Sequence, residues 1–264
     1  MKQRIISAII AIIILMPLVI YGKIPFYLGV SILGCIGFNE LLNLKENKKK
    51  IPITMKIISL VAFIIIMMDG WGIKPGPLDF KSKLIFTIFF IILPIIFYEK
   101  ERYTVEDAFY ILSSILFLGL GFNTLAMLRI ANLNYFIYLL LIVVITDTFA
   151  YFTGTFLGRH KMCPSISPKK TWEGFFGGLL MGTFVSTTIY CALFEIHPNI
   201  LIITLISMIL SIIGQLGDLV FSKMKRHFEV KDFGKIMPGH GGVLDRLDSL
   251  LFVLIAFGYL VRFL

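Results

Sequence analysis

The sequence predicts an all-α fold, a polytopic integral membrane protein with about nine transmembrane helices. The first observation is composition: 58% of the 264 residues are hydrophobic and 16% are charged, whereas soluble domains are about 45–50% apolar and about 25% charged. The second is that apolar runs of about 20 residues, enough to cross a bilayer, recur along the whole chain. No long polar segment is left over, so we expect residues 1–264 to form a single membrane-embedded domain.

Nine apolar runs account for the predicted helices. They cover residues 5–21, 24–44, 53–69, 83–98, 108–128, 134–153, 174–194, 199–221 and 247–264. The third and fourth runs are short and contain Lys56 and Pro94, so their boundaries are the least defined. The first run follows Lys2 and Arg4, as in a signal peptide, but no small-residue cleavage pattern comes after it. We therefore expect a retained span.

Basic residues lie mainly in the short polar loops between these runs, and the chain has a net charge of +9. Nucleic-acid binders usually gather such residues on one soluble face, so we expect no nucleic-acid partner. An excess of Lys and Arg in loops marks the cytoplasmic side of a membrane. We therefore expect a multi-pass protein of the cell membrane with a cytoplasmic N-terminus. Loops 154–173 and 222–246 would both face the cytoplasm.

Three glycines at four-residue spacing, Gly174, Gly178 and Gly182, begin the seventh run. Small residues at this spacing let helices approach closely in lipid. We interpret them as a packing surface.

Two carboxylates, Asp147 and Asp218, lie towards the ends of the sixth and eighth runs. An ionisable residue at the centre of a membrane helix costs about 2.5–3.5 kcal/mol on insertion scales. Neither residue has an opposite charge nearby in sequence, so each needs a tertiary partner: a metal ion, a lysine or a water-filled cavity. A polar contact that only holds helices together is the alternative. Asp218 would share a helix face with Ser222 and Arg226, which suits one edge of a phosphate–metal site.

A glycine-rich segment, residues 238–242, precedes the last apolar run. Such a segment can expose successive backbone N–H groups to an anion, and the N-terminus of the helix that follows would add partial positive charge. Asp245 and Asp248 would share one face of that helix. With Asp218 they offer oxygen ligands that suit Mg²⁺ rather than zinc. His240 is a candidate ligand or general acid, or a loop histidine that caps the helix.

A second basic element precedes the seventh run. Ser167 and Pro168 predict the N-cap and first residue of a helix, which would place Lys169 and Lys170 at a helix N-terminus, against the macrodipole. Such a conflict with a local rule favours an anion-binding role for the two lysines. Marking of the cytoplasmic side is the alternative.

Together these motifs resemble the phosphatidate cytidylyltransferase family. The signature of that family is matched at every fixed position by residues 222–226, 231–232 and 238–249. The 167–174 loop and the surroundings of Asp147 and Asp218 are similar too. The resemblance covers roughly residues 140–250. We therefore expect residues 134–264 to form the catalytic part and residues 1–130 an N-terminal helical part without motifs.

The resemblance implies the reaction CTP + phosphatidic acid → CDP-diacylglycerol + pyrophosphate, with both substrates and the lipid bilayer as partners. Both substrates are anionic, so charge neutralisation and positioning would dominate catalysis. The phosphatidate oxygen is already ionised near pH 7, so no strong base is required. Mg²⁺ is the implied cofactor, and a second cation and a homodimer stay open.

The resemblance also implies roles for individual residues. Asp218, Asp245 and Asp248 would hold the metal centre, assisted by Ser222 and Lys225. Phosphate oxygens would be bound by Lys169, Lys170, Arg226, Lys231 and Arg246. The other candidates for orienting or binding substrates are Asp147, Thr171, Glu173, Asp232, His240, Gly241 and Gly242.

Two other classes also place carboxylates in membrane helices. A transporter should show related halves with broken helices, but residues 1–130 carry no comparable charged pattern. A CDP-alcohol phosphatidyltransferase would carry its aspartates in one helical signature, which this chain lacks.

Overall fold

The computed structural model describes residues 2–71, 79–99, 102–194, 199–237, 239 and 241–263, and within these ranges the chain is almost entirely helical. The described helices are α1 (Lys2–Tyr21), α2 (Lys23–Glu46), α3 (Ile53–Met67), α4 (Phe80–Ile92), α5 (Val105–Ala131), α6 (Leu133–Phe156), α7 (Trp172–Leu193), α8 (Ile200–His227) and α9 (Leu244–Leu260). Short 3₁₀ turns follow α4 and α9, at Leu93–Ile96 and Val261–Phe263.

Five of these helices, α2, α5, α6, α7 and α8, are long and apolar enough to cross a membrane, and α3 is a shorter apolar helix. The predicted all-α, polytopic fold is thereby confirmed. Each of the nine apolar runs overlaps one described helix. That all nine cross the bilayer stays a prediction.

Local sequence explains the boundaries of the short fourth helix. Asp79 is its N-cap, and the Asp79 side chain accepts a hydrogen bond from the Ser82 backbone N–H at 3.1 Å. The α-helical part ends at Ile92, and Pro94 lies in the 3₁₀ turn that follows. Proline has no backbone N–H and its ring clashes with the preceding turn, so it ends an α-helix.

The chain forms two compact units that interleave in sequence. Unit 1 comprises Met1–Ile130 and Asp232–Arg246, and unit 2 comprises Ala131–Lys231 and Leu247–Leu264. Much of the signature segment that follows α8 is therefore packed with residues 1–130.

In unit 1 the core lies among aromatic and aliphatic side chains of α2, α3 and α5. Phe38 and Phe63 stack with ring centroids 4.7 Å apart, and both are fully buried together with Phe122. At the start of α5, the buried carboxylate of Asp107 pairs with Lys45 at 3.0 Å and also with Lys49. These pairs satisfy a carboxylate that would otherwise be costly to bury.

In unit 2 the most extensive helix packing joins α6 to α7. A Cβ placed on Gly174 would lie 2.7 Å from the Ala150 carbonyl oxygen, and one on Gly178 would lie 2.7 Å from the Thr146 carbonyl oxygen. A Cβ on Gly182 would collide with the Thr146 hydroxyl. The interpretation of these glycines as a packing surface is confirmed, because only residues without a side chain fit there.

The segment before α7 differs from the prediction. Lys161–Cys163 (β1) and Ser167–Thr171 (β2) form a small antiparallel hairpin. The N-cap of α7 is Thr171, whose hydroxyl accepts a hydrogen bond from the Gly174 N–H at 3.1 Å. The predicted cap at Ser167 and Pro168 is therefore wrong: hairpin pairing extends the chain through the two lysines. The helix-dipole argument for Lys169 and Lys170 falls with it.

Candidate active site

A polar cavity of about 580 Å³ lies within unit 2, among α6, the hairpin, α7 and α8. Five of its lining residues were predicted site residues, namely Asp147, Lys169, Lys170, Thr171 and Asp218. Lys161 of β1, which was not a predicted site residue, also lines it. The cavity thus brings three lysines and two carboxylates from separate parts of the sequence to one place.

Lys170 is the tertiary partner that Asp218 was expected to need. The Lys170 Nζ lies 2.6 Å from Asp218 Oδ2 and donates a hydrogen bond to the Gln215 carbonyl oxygen at 3.2 Å. Gln215 in turn donates from Nε2 to the Phe175 carbonyl oxygen at 3.3 Å. Both charged side chains keep nearly a third of their surface exposed, at 28% for Lys170 and 29% for Asp218. The pair is therefore firmly placed yet still accessible from the cavity.

Three carboxylates of unit 2 interact electrostatically with one another and with lysines. Asp248 of α9 interacts electrostatically with Asp218 and Asp147, and also with Lys225. Asp147 interacts with Asp218 and Lys170. Three carboxylates that lie this close repel one another, and Lys170 and Lys225 offset part of that repulsion. The group is therefore electrostatically suited to a cation.

The donor chemistry fits Mg²⁺, which prefers carboxylate oxygens and retains several waters. Among the residues that the structure describes, however, no three His, Cys, Asp or Glu side chains form a ready-made metal cage. A site with one or two carboxylates completed by water and substrate phosphates is the arrangement that Mg²⁺ commonly takes.

On α8, Ser222 lies one turn after Asp218, and its hydroxyl approaches Asp218 Oδ1 at 3.4 Å. Arg226 is exposed one turn further on. Its guanidinium donates to the Ile166 carbonyl oxygen at 3.5 Å and to the Val230 carbonyl oxygen at 3.3 Å. The predicted helical stripe is present, and Arg226 connects α8 to the hairpin turn.

Thr171 and Glu173 both have structural partners. Thr171 caps α7 and is 4% exposed. The Glu173 carboxylate accepts the His160 backbone N–H at 3.2 Å and contacts the His160 ring Nδ1 at 2.6 Å. Their contacts hold the hairpin against the start of α7, beside the lysines.

In unit 1 the glycine-rich segment is organised by carboxylates. Asp245 Oδ2 accepts the N–H groups of Phe233 at 2.8 Å and Gly242 at 2.9 Å. Gly241 has a positive φ of 86° and pairs with Met237 in an isolated bridge. A left-handed conformation of this kind favours glycine. Gly241 and Gly242 therefore shape the loop.

A second residue that the sequence did not single out is Glu40 of α2. Its carboxylate accepts the N–H groups of Val243 at 2.9 Å and Leu244 at 3.0 Å. Glu40 thus occupies two amides at the N-terminus of α9, where the sequence predicts partial positive charge suited to an anion. The signal was available: Glu40 is an ionisable residue within the apolar run 24–44, the same pattern that singled out Asp147 and Asp218.

The remaining candidates are more dispersed. Three of them are exposed and flank the glycine-rich segment in sequence, namely Lys231, Asp232 and Arg246. Lys225 is half-buried on α8. His240 lies outside the described residues.

A helical membrane protein with lysines and carboxylates around a polar cavity has the chemistry of a membrane-bound transferase for anionic substrates. Comparison with known proteins is more specific. The cytidylyltransferase family matches residues 2–264, and the chain belongs to that family.

Its relatives include the phosphatidate cytidylyltransferases of three staphylococci. That of Staphylococcus epidermidis is 41% identical over 255 residues. That of Staphylococcus aureus strain COL is 41% identical over 254 residues, and that of Staphylococcus haemolyticus is 42% identical over 255. Each alignment covers 96% of this chain and 96% of the relative.

Proposed function

We propose that this chain is a phosphatidate cytidylyltransferase that converts CTP and phosphatidic acid to CDP-diacylglycerol and pyrophosphate. The observation that carries the proposal is the 41% identity, over 96% of the chain, to relatives that bear this name. The cavity supports it, because its lysines and carboxylates suit substrates that carry phosphate groups.

In this reaction an oxygen of the phosphatidate phosphate attacks the α-phosphorus of CTP, and the bond from the α-phosphorus to the bridging oxygen of the β-phosphate breaks. Pyrophosphate leaves with the electron pair of that bond. The attacking oxygen is already ionised near pH 7. Catalysis therefore depends on holding two anions together in line, through positioning and charge stabilisation.

Lys161, Lys169 and Lys170 would supply this charge from within the cavity. The Lys170 ammonium can pair either with the Asp218 carboxylate or with a phosphate oxygen. Arg226, exposed on α8 beside the hairpin, would bind phosphate at the rim. Lys225, Lys231 and Arg246, with Asp232 and His240, are further candidates from the family pattern.

Mg²⁺ is the cation that we propose for the carboxylates. Asp218 and Asp248 are the proposed donors, with Ser222 beside Asp218, and Asp245 is added from the family pattern. When bound, Mg²⁺ would neutralise phosphate charge and act as a Lewis acid. Asp147 would contribute negative charge close to the same centre.

Substitution of the carboxylate that pairs with Lys170 tests the function and the site together. In purified Asp218→Asn protein, labelled CTP, phosphatidic acid and Mg²⁺ should yield less than about 1% of the wild-type CDP-diacylglycerol, as expected for loss of a metal ligand or essential charge. Asp69→Asn is the matched control, because Asp69 also pairs with a lysine, Lys83, but belongs to unit 1 and does not line the cavity. Near-normal synthesis by Asp218→Asn would contradict the assignment.

The product of the same assay separates this proposal from the two other classes. A transporter would form no CDP-diacylglycerol, and a CDP-alcohol phosphatidyltransferase would consume it instead. A homodimer is a separate proposal, which the mass of the detergent-solubilised protein by light scattering tests.

A further inference from the structure

We propose that Glu40 is a positioning residue for the reaction, which holds the glycine-rich signature segment and the start of α9 in their working conformation. The inference rests on the proposed function, because it assigns a catalytic consequence to a contact that lies outside the family signature. It connects the N-terminal part, which carries no recognised motif, to the segment that carries Asp245.

The contact joins residues far apart in sequence. Glu40 Oε1 accepts the Val243 N–H at 2.9 Å, Glu40 Oε2 accepts the Leu244 N–H at 3.0 Å, and the bonded pairs are separated by 203 and 204 positions. The first N–H groups of a helix have no partner inside it. Glu40 thus caps α9 from another helix and also places a negative charge at its positive end.

Packing around the carboxylate leaves little freedom. Glu40 is only 4% exposed. A Cβ on Gly234 or on Gly242 would collide with Glu40 Oε1. One turn earlier on α2, a Cβ on Gly37 would lie 2.9 Å from the Leu244 side chain. The close approach of Glu40 therefore explains the glycines at positions 234 and 242.

Two carboxylates divide the amides of this segment between them. Glu40 takes those of Val243 and Leu244, and Asp245 takes those of Phe233 and Gly242. Hydrogen bonds from amides to a carboxylate are stronger than those between neutral groups. Loss of the Glu40 charge would leave two buried amides poorly satisfied and would loosen the backbone that positions Asp245.

The direct test is amide hydrogen exchange in metal-free protein. In Glu40→Gln, the peptide that covers Val243 and Leu244 should exchange at least tenfold faster than in the wild type. Glu46→Gln is the matched control: Glu46 lies on the same helix and pairs with Lys56 at 2.6 Å, and its loss should leave that peptide unchanged. Unchanged exchange in Glu40→Gln, or equal acceleration in Glu46→Gln, would overturn the inference.

Kinetics of the folded variants provide the second readout. Glu40→Gln should lower kcat at least tenfold while KM for CTP changes less than threefold, and Glu40→Asp should restore part of both protection and turnover. If Glu40→Gln does not fold, Glu40→Asp is used instead. This variant keeps the charge on a shorter side chain, so the expected losses of kcat and of amide protection are smaller. Faster exchange with unchanged kcat would overturn the positioning role. Wild-type protein that forms no CDP-diacylglycerol would instead refute the proposed function, whatever the exchange result.

Discussion

The side chain of Lys170 shows how one residue can link the two kinds of charge in the cavity. Its ammonium lies 2.6 Å from Asp218 and is also fixed by the Gln215 carbonyl oxygen. A phosphate entering the cavity would compete with Asp218 for this ammonium, and Asp218 would then be released for a cation. Substrate and metal would therefore bind cooperatively at this pair.

Lys170→Met should lower kcat/KM for CTP by about 10- to 100-fold, because a hydrogen bond to a charged group contributes about 1.5–3 kcal/mol and about 1.4 kcal/mol corresponds to a factor of ten. Steady-state kinetics in detergent measure it. Lys83→Met removes the lysine of the Asp69–Lys83 pair and should leave kcat/KM unchanged. Equal losses in the two variants would indicate a general effect on stability.

The sequence indicates which carboxylates stand out as site candidates, but it does not indicate which residues they pair with. Asp147 and Asp218 stand out in sequence because charge within an apolar run is costly. The lysine that pairs with Asp218 lies in a hairpin, 48 positions away in numbering, and no local pattern indicates which lysine it is. Glu40 shows the same limit, since its partners become neighbours only through the tertiary fold.

At the scale of elements, the α6–α7 contact supports the cavity from one side. Thr146 and Ala150 of α6 lie against the glycines of α7, and both helices contribute residues to the cavity lining. Their apolar length made these helices predictable, whereas the hairpin before α7 was not. Strand pairing of β2 with β1 overrode the local helix-start signal of Ser167 and Pro168.

Gly178→Val should destabilise the folded protein by about 1–3 kcal/mol, as overpacking of a tight interface generally does. Its added Cβ alone would lie 2.7 Å from the Thr146 carbonyl oxygen. A thermal unfolding assay in detergent should show a lower Tm. Leu180→Val on the same helix, at a side chain that is 69% exposed, is the control and should have little effect. An unchanged Tm for Gly178→Val would contradict the proposed tight packing.

At the scale of the whole molecule, the proposed orientation places the hairpin in the cytoplasm. Cys163 lies in β1 and is partly exposed, so it is a natural reporter. A membrane-impermeant maleimide should label it only after the cells are permeabilised. Arg262 lies just after the C-terminal end of α9, which the proposed orientation places outside the cell. In a Cys163→Ser background, Arg262→Cys should therefore be labelled in intact cells. Labelling of Cys163 in intact cells would reverse the proposed topology.

Unit 1 can be completed only late in synthesis. Its second segment, Asp232–Arg246, follows Ala131–Lys231 in the chain, so the ribosome makes α6, α7 and α8 before the amides that Glu40 binds exist. Until then Glu40 has to remain hydrated, protonated or held by another partner, because an unpaired carboxylate is costly in lipid. The membrane insertion machinery therefore receives α2 before the final hydrogen-bond partners of Glu40 exist, and unit 1 is completed only when the start of the last helix emerges.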